Sequence, residues 1–97
     1  MNELHIVAVL YAKHGQEEQL CADLTAVVAP SQLEEGSLRY ELFRDKRDAR
    51  RFVFLEHWAD SASQEKHHTE GKHILHFQSH GVSAVEKIEV YRLDRIA

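Results

Sequence analysis

From Leu4 to Ala12 the chain is apolar on both alternating sets of positions, with Leu4, Ile6, Ala8 and Leu10 on one and Val7, Val9 and Tyr11 on the other. A central strand covered on both faces has this pattern. Lys13-His14-Gly15 interrupts it, and Gln16-Glu17-Glu18 opens a helix with carboxylates where the first-turn dipole favours them. Leu20, Leu24, Val27 and Val28 then recur at helical spacing as one apolar stripe, which Leu33 continues. Pro30 removes a backbone donor, so the expectation is a bent helix ending near Glu35 with Gly36 as its left-handed stop.

Leu38 to Arg44 reads as a second strand, with Leu38, Tyr40 and Leu42 on one face and Arg39 and Glu41 on the other. The polar segment Asp45 to Arg50 turns the chain into a third strand, Arg51 to Trp58, whose Phe52, Phe54, Glu56 and Trp58 share a face. Ser61 with Gln64 fits a capping box for a short polar helix reaching His68. After Gly71 a further helical piece, Lys72 to His80, carries Ile74 and Phe77 on one side. Ser83 to Arg95 is the last strand; its apolar positions move from Ile88 and Val90 to Tyr91 and Leu93, which predicts a bulge or a change of environment.

The order β, α, β, β, broken α, β is that of an α+β, ferredoxin-like βαββαβ domain: an antiparallel sheet with helices on one face. Helices on one side leave the other side of an apolar sheet bare, and an identical subunit is the usual cover. A homodimer forming a dimeric α/β barrel is therefore expected, with a ligand cavity between sheet and helices.

At 97 residues the chain suits a single domain, 1–97, and its 43% hydrophobic and 29% charged residues are ordinary for a globular protein. A formal charge of −4 argues against nucleic acid as a partner. Arg44, Lys46, Arg47, Arg50 and Arg51 do cluster, but Asp45 and Asp48 sit among them, as in a solvated hairpin tip. Cys21 has no second cysteine to pair with and no leader precedes Leu4, so a cytoplasmic protein is expected. The longest apolar run, Ile6 to Ala12, falls short of the roughly 20 residues needed to cross a bilayer, so no membrane association is expected.

Glycine-rich phosphate loops, paired cysteines, an H-E-x-x-H helix and a G-x-S-x-G elbow are all missing from the sequence. No cofactor is expected, and hydrolysis has no support. Histidine stands out instead: of eight, His67, His68, His73, His76 and His80 fall in one short stretch. On a helix from Lys72, His73, His76 and His80 form a stripe beside Ile74 and Phe77 that could edge a cavity, the alternative being a solvated face. Histidine titrates nearest neutral pH and is a natural base for a phenolic proton. No Asp or Glu on the stripe completes a ligand set, so no metal site is expected. Trp58 beside Glu56 is either core packing or a wall for a flat aromatic ligand.

The segments VAVLYAKHGQEEQL (Val7 to Leu20), VAPSQLEEGSLRYELFRD (Val28 to Asp45), RFVFLEHWAD (Arg51 to Asp60), His67 with HILHF (His73 to Phe77), and the C-terminal IEVYRLDRIA, in this order, resemble the antibiotic biosynthesis monooxygenase family, especially its small quinol-monooxygenase-like members. The resemblance implies ferredoxin-like dimers that oxidise hydroxylated aromatic or quinol substrates with O₂ and without flavin, haem or metal. Trp58 and Glu56 match the family's E-x-W pair, His67 its histidine early in the following helix, and His73 with Phe77 its downstream H-F-x-x-F element. The expected catalytic residues are thus His67, His73, Trp58 and Glu56, with Tyr40, Phe54, Ile74 and Phe77 binding a small aromatic substrate. Phe54 stands where some oxygenases have Asn, and Val7 and Val9 where haem-degrading relatives have Asn, which disfavours haem degradation. Proton transfer on a small carbonyl compound and non-enzymatic ligand binding are the alternative functions.

Overall fold

A computed structural model describes residues 3–97. Strands β1 (Leu4–Ala12), β2 (Ser37–Arg44), β3 (Arg51–Trp58) and β4 (Val85–Leu93) form one antiparallel sheet in the order β2-β3-β1-β4. Helix α1 (Glu17–Gln32) connects β1 to β2, and α2 (Ser61–Glu70) with the short α3 (Lys72–His76) leads from β3 towards β4. A π turn at Phe77–Gly81 and a 3-10 turn at Val82–Ala84 complete that second connection. The expected ferredoxin-like βαββαβ plan is present, with the second helix broken at Gly71.

Strand alternation assigns the two faces. The even residues of β1 are buried and the odd ones half-buried. Phe52, Phe54 and Trp58 lie opposite Leu10, Ala8 and Leu4, and all six pack with Leu20, Leu24 and Val27 of α1 in the core. The other face carries the half-buried Val7, Val9, Val53 and Leu55, together with Phe43, Tyr91 and Leu93, the last three each more than two-fifths exposed. This open face is the apolar surface that the double patterning of β1 predicts.

Several local expectations are corrected. Leu33 does not extend the buried stripe but is 87% exposed. Pro30 lies inside the helix, and beyond it the chain tightens: Leu33 and Glu34 donate their N–H groups to the Pro30 and Ser31 carbonyls, three residues back. Helix α1 therefore stops at Gln32 rather than near Glu35, and Glu34 turns inward. Gly36 is the left-handed stop, at φ +82°, and a Cβ there would collide with the Ser63 side chain. Leu38 is the extra residue at a bulge between the Ser37–Trp58 and Arg39–His57 pairs, and so leaves the buried face of Tyr40.

Asp60, not Ser61, caps α2, its carboxylate accepting the Ser63 N–H at 2.8 Å, and the helix continues past His68 to Glu70. No bulge separates Val90 from Tyr91; the irregularity in β4 lies at its start, between the Tyr11–Lys87 and Ala12–Val85 pairs. Ile88 and Val90 face the helix side and Tyr91 and Leu93 the open side, so the strand is apolar on both faces. At the hairpin tip Arg51 pairs with Asp45 at 3.0 Å and Arg44 with Glu18 of α1 at 2.9 Å. Among the described residues no helix is long and apolar enough to cross a membrane.

Candidate active site

Helix α2 is polar almost throughout, and its one buried residue is His67. A helix with no apolar stripe must be held by something other than hydrophobic burial, and here it is held by an imidazole. Where the sheet's helix side meets α2 and the end of α1, the His67 ring lies 4.8 Å from Trp58, 5.4 Å from Tyr40 and 5.7 Å from His73, centroid to centroid. His67 Nδ1 is 2.5 Å from Oε1 of Glu34, and His73 Nε2 is 3.1 Å from the same oxygen.

The proton positions follow from the acceptors. Ser31, fully buried, donates its hydroxyl to the Val27 carbonyl at 2.6 Å, so its oxygen accepts from His73 Nε2 at 3.0 Å. The Glu34 carboxylate can only accept, which assigns a proton to His67 Nδ1 and leaves Nε2 of that ring as the free basic nitrogen. Burial lowers the His67 pKa below the ordinary histidine value, although the adjacent Glu34 charge opposes the shift. At neutral pH the ring is therefore an uncharged base backed by a carboxylate.

His67 forms part of the wall of a cavity of about 550 Å³. Ile6, Ala8 and Leu10 of β1 and Ile88 and Val90 of β4 supply its apolar floor, with Tyr40, Glu56 and Ile74 beside them. The helix layer stops short of β4, which is why Ile88 and Val90 stay about half exposed. Arg92 closes one end, donating to Gln64 Oε1 of α2 at 3.2 Å. Burial raises the Glu56 pKa, against a hydrogen bond from the Trp58 indole N–H at 2.9 Å. Burial and then the Glu56 charge push the Tyr40 hydroxyl far above its usual range, so it remains a proton donor.

Of the side chains expected to bind substrate, Tyr40 and Ile74 line this cavity, as do His67 and Glu56 from the catalytic set. Trp58 is fully buried and packs behind His67 and Glu56, and Phe54 is core, 5.2 Å from the Tyr40 ring. His73 stands behind Glu34. Together with His76, Phe77 and His80 it lines a separate pocket of about 160 Å³ against α1, the cavity that the histidine stripe edges. Glu34, Ser31 and Arg92 escaped the sequence reading. Glu34 is 33 residues from His67 in the chain and follows a helix end, where a carboxylate reads as solvated.

A one-sided helical layer on a four-stranded antiparallel sheet, with an imidazole–carboxylate pair at a cavity with an apolar floor, defines a small ferredoxin-like α+β protein. Residues 4–79 match the antibiotic biosynthesis monooxygenase family model, and the chain belongs to that family. It is 36% identical to PA3566 from Pseudomonas aeruginosa, whose crystal structure superposes with a TM-score of 0.93 over 100% of this chain and 97% of that one. Protein SO0527 from Shewanella oneidensis is 28% identical, with a TM-score of 0.88 over 95% of this chain and 89% of that one. A crystal structure described as an antibiotic biosynthesis monooxygenase shares the fold at 23% identity, with a TM-score of 0.89 over 97% and 99% of the two chains. No curated protein matches the chain by sequence.

Proposed function

We propose that the protein is a cofactor-independent monooxygenase of hydroxylated aromatic or quinol-like substrates, working as a homodimer. The observation that carries this reading is His67, kept neutral by burial, protonated on Nδ1 towards Glu34 and lining a cavity with an apolar floor. Nε2 removes the phenolic proton, and Glu34 stabilises the imidazolium that results. The aromatic anion is electron-rich enough to give one electron to O₂. The radical pair joins at a hydrogen-bearing ring carbon adjacent to or opposite the oxygen, and the peroxide takes a proton from the imidazolium. Loss of water, with the hydrogen of that carbon, leaves a quinone. One oxygen atom of O₂ enters the product and the other leaves as water, so no outside reductant is needed.

In this reading Tyr40 and Trp58 are a rigid aromatic wall, with Trp58 acting through His67 and Glu56, and His73 is a positioning residue that fixes Glu34. Ile74 contacts the substrate and Phe54 supports Tyr40 from behind, whereas Phe77, in the separate pocket against α1, does not reach the substrate. The open sheet face, with Phe43, Tyr91 and Leu93 exposed, is the dimer surface. The test is to mix the protein anaerobically with naphthols and naphthoquinols and then admit ¹⁸O₂. Quinone carrying one ¹⁸O atom, formed faster than in buffer, is expected. Turnover that proceeds without O₂, or quinone formation at the background rate, would overturn the proposal.

A further inference from the structure

On the sheet face opposite the cavity, His5 of β1 and His57 of β3 are direct cross-strand partners. Their rings stack with centroids 4.1 Å and planes 15° apart. Glu3 lies two residues before His5, and its Oε1 is 2.5 Å from His57 Nε2. One ligand atom from each of the three residues lies within 4.8 Å of the others. They border a cleft of about 510 Å³ to which Asp94 and Arg95, beyond the end of β4, also contribute. Both imidazoles are half-buried and rise from paired strands, so the sheet backbone holds them side by side before any ligand arrives.

We propose that Glu3, His5 and His57 bind a divalent transition-metal ion of the zinc and copper class. Two imidazole nitrogens and a carboxylate oxygen suit these borderline ions rather than magnesium or calcium, which prefer oxygen alone. Ligand distances of about 2.0–2.2 Å require the side chains to rotate so that their donor atoms converge on the ion. The ion takes the place of the proton that His57 now shares with Glu3. Asp94 offers a further oxygen from the same cleft, while Arg95 has its Nε committed to the Ala97 carbonyl at 2.8 Å. Three protein donors leave one position open to water or to an outside ligand. The interior group Glu34, His67 and His73 has the same donors, but there one carboxylate oxygen holds both imidazoles and Ser31 shares the second, whereas Glu3 holds His57 alone. The proposed ion site uses no residue of the cavity, but it lies on the sheet face proposed above as the dimer surface, where His5 pairs with Leu93, so it would sit at the margin between the two subunits.

Calorimetric titration of the full chain with Zn²⁺ tests the site. His5→Gln and His57→Gln should each weaken binding by at least about tenfold, since even loss of an outer partner of a metal ligand costs that much. His67→Gln, and the pair His76→Gln with His80→Gln, should bind Zn²⁺ as the parent does. Cu²⁺ added to the unmodified protein should give an electron paramagnetic resonance spectrum with two equatorial imidazole nitrogens, a readout that needs no variant to fold. Unchanged Zn²⁺ affinity in both His5→Gln and His57→Gln, or loss of binding in His67→Gln instead, would refute the site.

Discussion

Two groups of one glutamate and two histidines lie on opposite faces of the same sheet, and their surroundings differ more than their donors do. In the inner group His67 is buried, and a single oxygen of Glu34 receives both imidazole N–H groups while Ser31 shares the second. In the outer group Glu3 is more than half exposed, accepts from His57 alone, and borders an open cleft. The lesson is that residue type does not decide what such a cluster does. Desolvation and a shared carboxylate oxygen make the inner group the candidate base, and exposure beside a cleft makes the outer group the candidate ion site.

The contrast can be broken from the inside first. Replacing His67 with Gln should lower kcat about 10²–10⁴-fold on any substrate found, the usual worth of a positioned base. Next in size, Trp58→Ala removes the fully buried indole against which His67 packs and should cost about 3–5 kcal/mol in denaturant unfolding. Glu34→Gln leaves two imidazole donors competing for one amide oxygen, with an expected loss of about 1–3 kcal/mol. The matching outer change, Glu3→Gln, breaks an exposed pair and should move stability by no more than about 0.5 kcal/mol.

The pH dependence sharpens the same contrast. The folded pKa of His67 lies below its unfolded value, so between the two the unfolded chain binds more protons. Stability is therefore highest above the ordinary histidine pKa of about 6.5 and declines as pH falls from there towards the folded value. Activity, which needs the neutral ring, should hold to a lower pH than an exposed histidine would allow. Glu34 supports the imidazolium, so Glu34→Gln should shift the acid limb of the rate profile further down while reducing the rate.

The sheet, its order of elements and the first helix were legible because their signals are periodic: alternation in β1 and β3, and Leu20, Leu24 and Val27 at helical spacing. His67 and Glu56 could be found from the histidine density and the E-x-W pair. Glu34 could not, because its role arises only when the tightened end of α1 meets α2 across a gap in sequence. Leu33 misled because a stripe read past Gln32 assumes another α-helical turn where the chain has tightened to three-residue hydrogen bonds. The outer group was invisible because cross-strand register, not spacing along the chain, brings His5 to His57.

The chemistry proposed for the cavity turns on one nitrogen of His67. In ¹⁵N-histidine spectra at neutral pH that ring should carry its proton on Nδ1, with Nε2 unprotonated, should titrate below the ordinary histidine pKa, and should shift its Nε2 resonance when a hydroxynaphthoquinone is added. A His67 ring protonated on both nitrogens at neutral pH, or one untouched by saturating ligand, would contradict it.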